Sequence, residues 1–337
     1  MLRYLGQRLV AAVLMMVMAT LVVFLIANTV PGDPVLAQLG DMAASNHEFV
    51  AEFRAKMGLD RPLWERYWIF LKGLTHGDLG VSIATQRPVI EDIKQYAPAT
   101  VELSTIAFLL SLMIGIPLGI LAAVRRDSWI DHVARFVSLI GVSSPTFWLA
   151  FIALAVFYGG LQIAPGPGRL DPAAMSPPTV TGFFLLDSVV DRDWETLRDV
   201  IAHLVLPSLV LAAATLGLIT RTTRASMLET LGQEYIRVAK AKGLKPIAVV
   251  MRHALPNALI PVVTVGGLAY ANLLTGAVMT ESIFSWPGLG RYTFRSAVAV
   301  DFPAILGITL LVAMVYVVIN LLTDLSYALL DPRVLRR

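Results

Sequence analysis

Long apolar runs dominate the pattern of hydrophobic and polar positions along this chain. Six of them are almost free of charge over about 20 residues, the length of helix that crosses the roughly 30 Å apolar core of a bilayer. We predict six transmembrane helices, at approximately 9–30, 100–124, 134–158, 204–220, 258–280 and 302–323. The fourth is the weakest prediction, because the run is short and Pro207 lies near its start.

The segments between these runs differ in charge, and the difference predicts their sides of the membrane. With the N-terminus in the cytoplasm, the internal segments hold 15 Lys and Arg against 6 acidic residues. The external segments hold 12 against 17. Because cytoplasmic loops are enriched in Lys and Arg, we expect both termini to be cytoplasmic.

Composition narrows the function classes. Of 337 residues, 56% are hydrophobic, 15% are charged and none is cysteine. A soluble domain carries about 25% charged residues, so an ordinary soluble enzyme is excluded, as are disulfides and thiolate chemistry. The chain also lacks a G-x-x-x-x-G-K-[ST] phosphate loop and the two histidines of a zinc-protease helix.

The predicted spans contain few groups that could carry a coupling ion. Only Glu102 and Arg135 come close, both near predicted ends. Proton- and ion-coupled transporters need ionisable relays at membrane depth, so energy for uphill transport must come from another chain.

A Ser-Ser-Pro sequence at 143–145 is better explained as a helix bend than as a nucleophile elbow. We take Asn272, Ser143 and Ser144 as candidate residues of a substrate pathway.

The first external loop contains a predicted amphipathic helix. Pro62 suits a first helical position, apolar residues follow at helical spacing, and Gly77 ends the run. Such a helix is expected to lie at the membrane interface.

Segment 221–257 is basic and far too long for a simple turn. Its pattern predicts two short helices, the first over about 233–242 with a stop at Gly243, and the second from Pro246 to about Ala254. The segment could be a positive-inside anchor. Alternatively it docks into a cytosolic partner, with small alanines permitting close approach and basic side chains fixing the orientation.

The same residues resemble a known family. Glu234–Gly243 reads EYIRVAKAKG, and HALPNALIP follows at 253–261. Together they resemble the EAA loop of ABC importer permeases in the form used by the peptide branch, Tyr-x-Arg-x-Ala-x-Ala-x-Gly. Arg237 and Val238 stand where the general pattern has Glu and its first Ala. The resemblance assigns ATPase coupling to Glu234, Tyr235, Arg237, Ala239, Ala241, Lys242, Gly243, Leu255 and Pro256.

Further motifs extend the resemblance along nearly the whole chain. In order they are PGDP at 31–34, HGDLG at 76–80, GIPLG at 115–119, PTVTGF at 178–183 and ESIFSWPGLG at 281–290. In this order they are similar to the dipeptide-permease B subunits.

This resemblance implies an all-α membrane protein of the cytoplasmic (inner) membrane with a MetI-like permease core. We expect residues 1–98 to form the first span and an external, partly helical loop. Residues 99–337 would form the core, with five spans and the coupling loop 221–257. The implied partners are a second, homologous permease subunit, cytosolic ABC ATPases, an external solute-binding protein and membrane lipid, with no nucleic acid.

The implied function is ATP-driven import of short peptides, dipeptides first, by alternating access. The chain would need no cofactor, because ATP and Mg²⁺ bind the partner ATPases, and it would not itself be an enzyme. Oligopeptides, glutathione or nickel are alternative cargoes. An ion-coupled secondary transporter and an intramembrane hydrolase are alternatives of a different class.

Overall fold

A computed structural model of the chain describes residues 2–29 and 61–330, and within them it is helical, with no β-strand. The motif at 31–34 lies outside the described residues. In chain order the helices are α1 (Leu2–Thr29), α2 (Leu63–Thr75), α3 (Val89–Val124), α4 (Trp129–Ser143), α5 (Thr146–Ala153), α6 (Phe184–Val190), α7 (Trp194–Leu231), α8 (Glu234–Ala241), α9 (Pro246–Ala248), α10 (Leu255–Gly276), α11 (Val278–Ile283), α12 (Leu289–Val298) and α13 (Phe302–Leu330), with π-helical turns at Leu154–Gly160 and Val249–Ala254.

Five helical segments in the described part of the chain are long and apolar enough to cross a membrane. They lie in α1, α3, α7, the continuous run from α9 to α11, and α13. A sixth is present if α4 and α5, with the π-helical turn that follows, form one span bent by 106°. The predicted all-α architecture is therefore confirmed, and the predicted third span is the bent pair.

The bend between α4 and α5 follows from Pro145. A proline ring cannot donate a backbone hydrogen bond, and it forces the preceding residue out of the helical region. Ser144 is accordingly extended, with φ −84° and ψ 129°, and α5 starts directly after the proline. The interpretation of the Ser-Ser-Pro sequence as a helix bend is confirmed.

Two compact units are present, and each is described by itself. The larger comprises residues 97–291 with both chain ends, and its central element is α7, which packs against α4, α5, α6, α10 and α11. The predicted fourth span, 204–220, lies within α7, which is much longer and has 38 residues. In its C-terminal extension Arg224 is paired, because it donates to the buried carboxylate of Asp131 at 2.6 and 2.8 Å.

Helices α4 and α7 cross at glycines. A Cβ atom at Gly141 would lie 2.3 Å from the backbone oxygen of Ala213, and one at Gly217 would lie 2.5 Å from that of Ser138. Backbone atoms cannot move aside as a flexible side chain can. Small residues therefore set the distance between these helices, as in many membrane helix pairs.

The smaller unit comprises residues 7–96 and 292–317. Helix α2 is the predicted amphipathic helix, and its Tyr67 ring lies 5.3 Å from that of Phe24 on α1. Asp301 accepts hydrogen bonds from the Ser82 hydroxyl and the Ala84 amide. Tyr292 donates to Asp92 at 3.0 Å, and burial raises the pKa of its phenol.

The α4–α7 crossing generates a stability prediction. Replacing Gly141 with Ala should lower the free energy of unfolding by about 1–3 kcal/mol, because the new methyl group overlaps the Ala213 backbone. Denaturant unfolding of the detergent-purified chain, followed by tryptophan fluorescence, measures the change. The control is Gly276→Ala, where a Cβ atom meets nothing within 4 Å. Equal effects of the two substitutions would contradict the proposed role of the crossing.

Candidate functional site

The short helix α8 forms where the sequence predicts it, between the end of α7 and α9. Glu234 lies in its first turn and Lys240 in its last, each at the end where its charge favours the helix dipole. Gly243 follows with φ +78°, and its amide donates to the Lys240 carbonyl at 3.0 Å. The predicted glycine stop is confirmed, since the left-handed region is strained for residues with a side chain.

One face of α8 packs against other helices of the same chain. Ile236 and Ala239 are buried against a cluster formed by residues of α3, α7, the second π-helical turn and α10. The contacting residues are Ala123, Met227, Val249, Ala254 and Ala258. Ala239 was expected to permit close approach of a partner, but it faces inward and instead lets α8 lie close to its own helices.

The opposite face of α8 is exposed. Tyr235 and Val238 are 42% and 52% exposed, and Ala241 and Lys242 are exposed beside them. Arg237 pairs with Glu234 at 2.9 Å, but both side chains are largely in solvent, where such a pair contributes little to stability. This face therefore presents an aromatic and an aliphatic side chain with basic residues around them.

Tyr235 also ties α8 to the start of α10. Its hydroxyl accepts a hydrogen bond from the Asn257 amide at 2.7 Å and donates to the His253 carbonyl at 3.4 Å. The side chain thus fixes the angle at which α8 leaves the helices.

The second predicted short helix is not a separate element. Helix α9 continues through the π-helical turn into α10, so that Pro246 to Ile283 reads as one helical run. Leu255 and Pro256 lie in the first turn of α10, directly after the π-helical turn. The prediction of a helix ending at Ala254 is therefore wrong, and segment 221–257 is helical apart from short linkers.

The three pathway candidates lie on different elements. Asn272 is exposed on α10, Ser143 is exposed at the end of α4, and Ser144 is half-buried at the bend. Their place in a substrate pathway stays a prediction.

Sequence reasoning missed a buried ion pair. Arg169, in the segment between α5 and α6, donates to Glu102 of α3 at 2.5 Å, and its guanidinium lies 3.7 Å above the Phe184 ring. Burial lowers the pKa of Arg169, and the Glu102 carboxylate opposes that shift. Glu102 also accepts from the Leu185 amide. The sequence signal that could have revealed this pair was Glu102 itself, an acidic residue inside a predicted span with no basic residue close to it in the sequence.

A second missed feature explains the glycines of the 281–290 motif. Glu281 is fully buried and accepts hydrogen bonds from the Thr100 hydroxyl at 2.5 Å and the Arg291 amide at 3.0 Å. A Cβ atom at Gly288 would lie 2.4 Å from this carboxylate, and one at Gly290 3.0 Å from it. Gly288 leaves room for the glutamate, and Gly290 also leaves room for the Val278 backbone, 2.6 Å from its Cβ position.

Comparison with known proteins identifies the family. Residues 115–336 match the family model described as "Binding-protein-dependent transport system inner membrane component", and residues 1–104 match the model of its N-terminal part.

Three curated relatives match over nearly their whole length. The probable D,D-dipeptide transport system permease protein DdpB of Escherichia coli K12 is 46% identical over 98% of this chain and 96% of its own. The dipeptide transport system permease proteins DppB of Alkalihalophilus pseudofirmus and E. coli K12 are each 40% identical, over 99% of both chains.

A solved structure of the MetNI methionine ABC transporter in inward-facing conformations has a TM-score of 0.49 and 18% identity, covering 69% of this chain and 93% of that one. The apolar helices and the family match make the chain a multi-pass protein of the cytoplasmic membrane. The chain belongs to the family of binding-protein-dependent transport system inner membrane components.

Proposed function

We propose that this chain is the permease subunit of an ATP-driven importer of dipeptides. The full-length match to three relatives named as dipeptide or D,D-dipeptide permeases supports the cargo. The subunit itself would transfer no phosphate and form no covalent intermediate. ATP hydrolysis would take place in separate ATPase subunits, which also hold the Mg²⁺.

The proposed assembly follows from the family. A second, homologous permease subunit completes the pathway, cytosolic ATPases supply the energy, and an external solute-binding protein delivers the peptide. Asn272, Ser143 and Ser144 are proposed to line the pathway. We also propose that residues 1–98 and 99–337 are the two parts of the chain, with both termini cytoplasmic.

The proposal of ATPase coupling rests on the two faces of α8, one buried and one exposed. Its buried face holds it to α3, α7 and α10, while its other face offers Tyr235 and Val238 to solvent. A partner that binds the exposed face and then moves would displace α8. Because Ile236 and Ala239 pack against α3, α7 and α10, these helices would move with it. A basic segment that only anchored the chain would need neither the buried face of α8 nor the exposed side chains of Tyr235 and Val238.

A coupling variant tests this mechanism. Val238→Asp places a carboxylate in the proposed interface, where its desolvation is costly. ATP-dependent peptide uptake and peptide-stimulated ATP hydrolysis should fall by about tenfold or more, equivalent to roughly 1.4 kcal/mol of docking free energy or more. Both are measured on the assembled importer in vesicles. Met175→Asp is the control, since Met175 is 90% exposed on another segment. Normal coupling at normal abundance in Val238→Asp would refute the docking face.

Orientation is tested by cysteine accessibility in a chain without native cysteines. Ser176→Cys should react with an impermeant maleimide in intact spheroplasts. Ile247→Cys, at a position 67% exposed, should react only after permeabilisation. Labelling of Ile247→Cys in intact cells would overturn the proposed topology.

The cargo is tested by deleting this subunit and measuring uptake of labelled peptides. Uptake of L-alanyl-L-alanine or D-alanyl-D-alanine should be lost and restored by the intact chain. The two peptides distinguish the specificities named for the relatives. Intact uptake of both, with loss of nickel, glutathione or oligopeptide uptake, would replace the dipeptide proposal. Uptake that a protonophore abolishes at constant ATP would favour the ion-coupled alternative instead.

A further inference from the structure

A cavity of about 410 Å³ lies between α4 and α7. The two helices touch at Gly141 and Gly217, and the cavity extends from this crossing toward the end of α7 that leads into α8. Its lining residues are Ala134, Arg135, Ser138, Leu139, Val142, Gly217, Thr220, Arg221 and Arg224.

The charged part of the lining is cationic. Arg224 is committed to Asp131, whose carboxylate is fully buried, and Arg135 lies 3.4 Å from the same carboxylate. Arg221 is exposed and forms no ion pair within the described residues. Two of the three lining arginines therefore share one aspartate, and Arg221 has no acidic partner among the described residues, which leaves positive charge for an anion from outside the chain.

A buried hydroxyl in the same lining lacks a partner. Thr220 is 1% exposed, and its Oγ1 atom has no hydrogen-bond partner within the described part of the chain. A buried polar group without a partner is costly, but this oxygen is closed off from the cavity and adds no donor to its open surface. Leu139 and Val142 supply an apolar wall beside these polar groups.

We propose that this cavity binds an anionic phospholipid. The phosphate would lie between Arg135 and Arg221, while an acyl chain would follow the apolar side of α4. Leu139 and Val142 continue there into the exposed Phe136 and Ile140. Basic cavities between transmembrane helices are suited to lipid headgroups.

Two other anions fit the lining less well. A free phosphate would gain nothing from the apolar wall. A zwitterionic peptide would need an acidic partner for its ammonium group, and Asp131, the one carboxylate in contact with these arginines among the described residues, is fully buried and paired with Arg224.

Native mass spectrometry of the detergent-purified full chain, titrated with dioleoyl-phosphatidylglycerol, tests the proposal. Arg135→Gln and Arg221→Gln should each weaken binding of the first lipid by roughly fivefold, and the double variant by about 25-fold. Val142→Phe should also weaken it, because the ring fills the cavity without changing charge. Arg126→Gln is the matched control, since Arg126 is an exposed arginine at the α3–α4 turn outside the lining.

Four results would overturn the proposal. Equal losses in the Arg126→Gln control and the double variant would reduce the effect to surface charge. Equal binding of dioleoyl-phosphatidylcholine would remove the need for an anion. Displacement of the lipid by millimolar inorganic phosphate would assign the site to a small anion, and displacement by a dipeptide would assign it to the substrate pathway. None of these results depends on the proposed coupling or topology.

Discussion

The carboxylate of Asp131 is fully buried and receives two hydrogen bonds from the Arg224 guanidinium, at 2.6 and 2.8 Å. Removing one partner of such a pair leaves an uncompensated buried charge, which costs about 3–5 kcal/mol. The pair joins α4 to α7 beyond the glycine crossing. It allows α7 to continue as a helix through a charged stretch, so that Met227 reaches the cluster in which Ile236 and Ala239 of α8 are buried.

Two further buried carboxylates also have partners, as expected where the apolar surroundings of a membrane protein offer no water to replace a missing one. Glu102 is matched by Arg169 and a backbone amide, and Glu281 by Thr100 and the amide of Arg291. In the second case two glycines provide the space for the carboxylate. The 281–290 motif looks like a functional sequence, but the burial of Glu281 explains it.

Much of the fold could be predicted from the sequence, because hydrophobic runs of bilayer length and proline or glycine at helix ends act locally. The bend at Pro145, the amphipathic α2 and the stop at Gly243 are confirmed for this reason. The extent of α7 was not predictable by hydropathy, since Arg221 and Arg224 look like loop residues until the partner of Arg224 on α4 is known. The merging of α9 with α10 likewise needs the π-helical turn between them.

For the candidate site, the sequence by itself determined which segment is involved and that a helix ends at Gly243, since both depend on residues close together in the chain. Only the tertiary structure decided which face of that helix is available. Ile236 and Ala239 are buried because residues from α3, α7 and α10 converge beneath them, of which Ala123 lies 116 positions before Ala239 in the chain. That convergence leaves Tyr235 and Val238 exposed. Helical periodicity places the two faces on opposite sides, but only long-range packing fixes which one is covered.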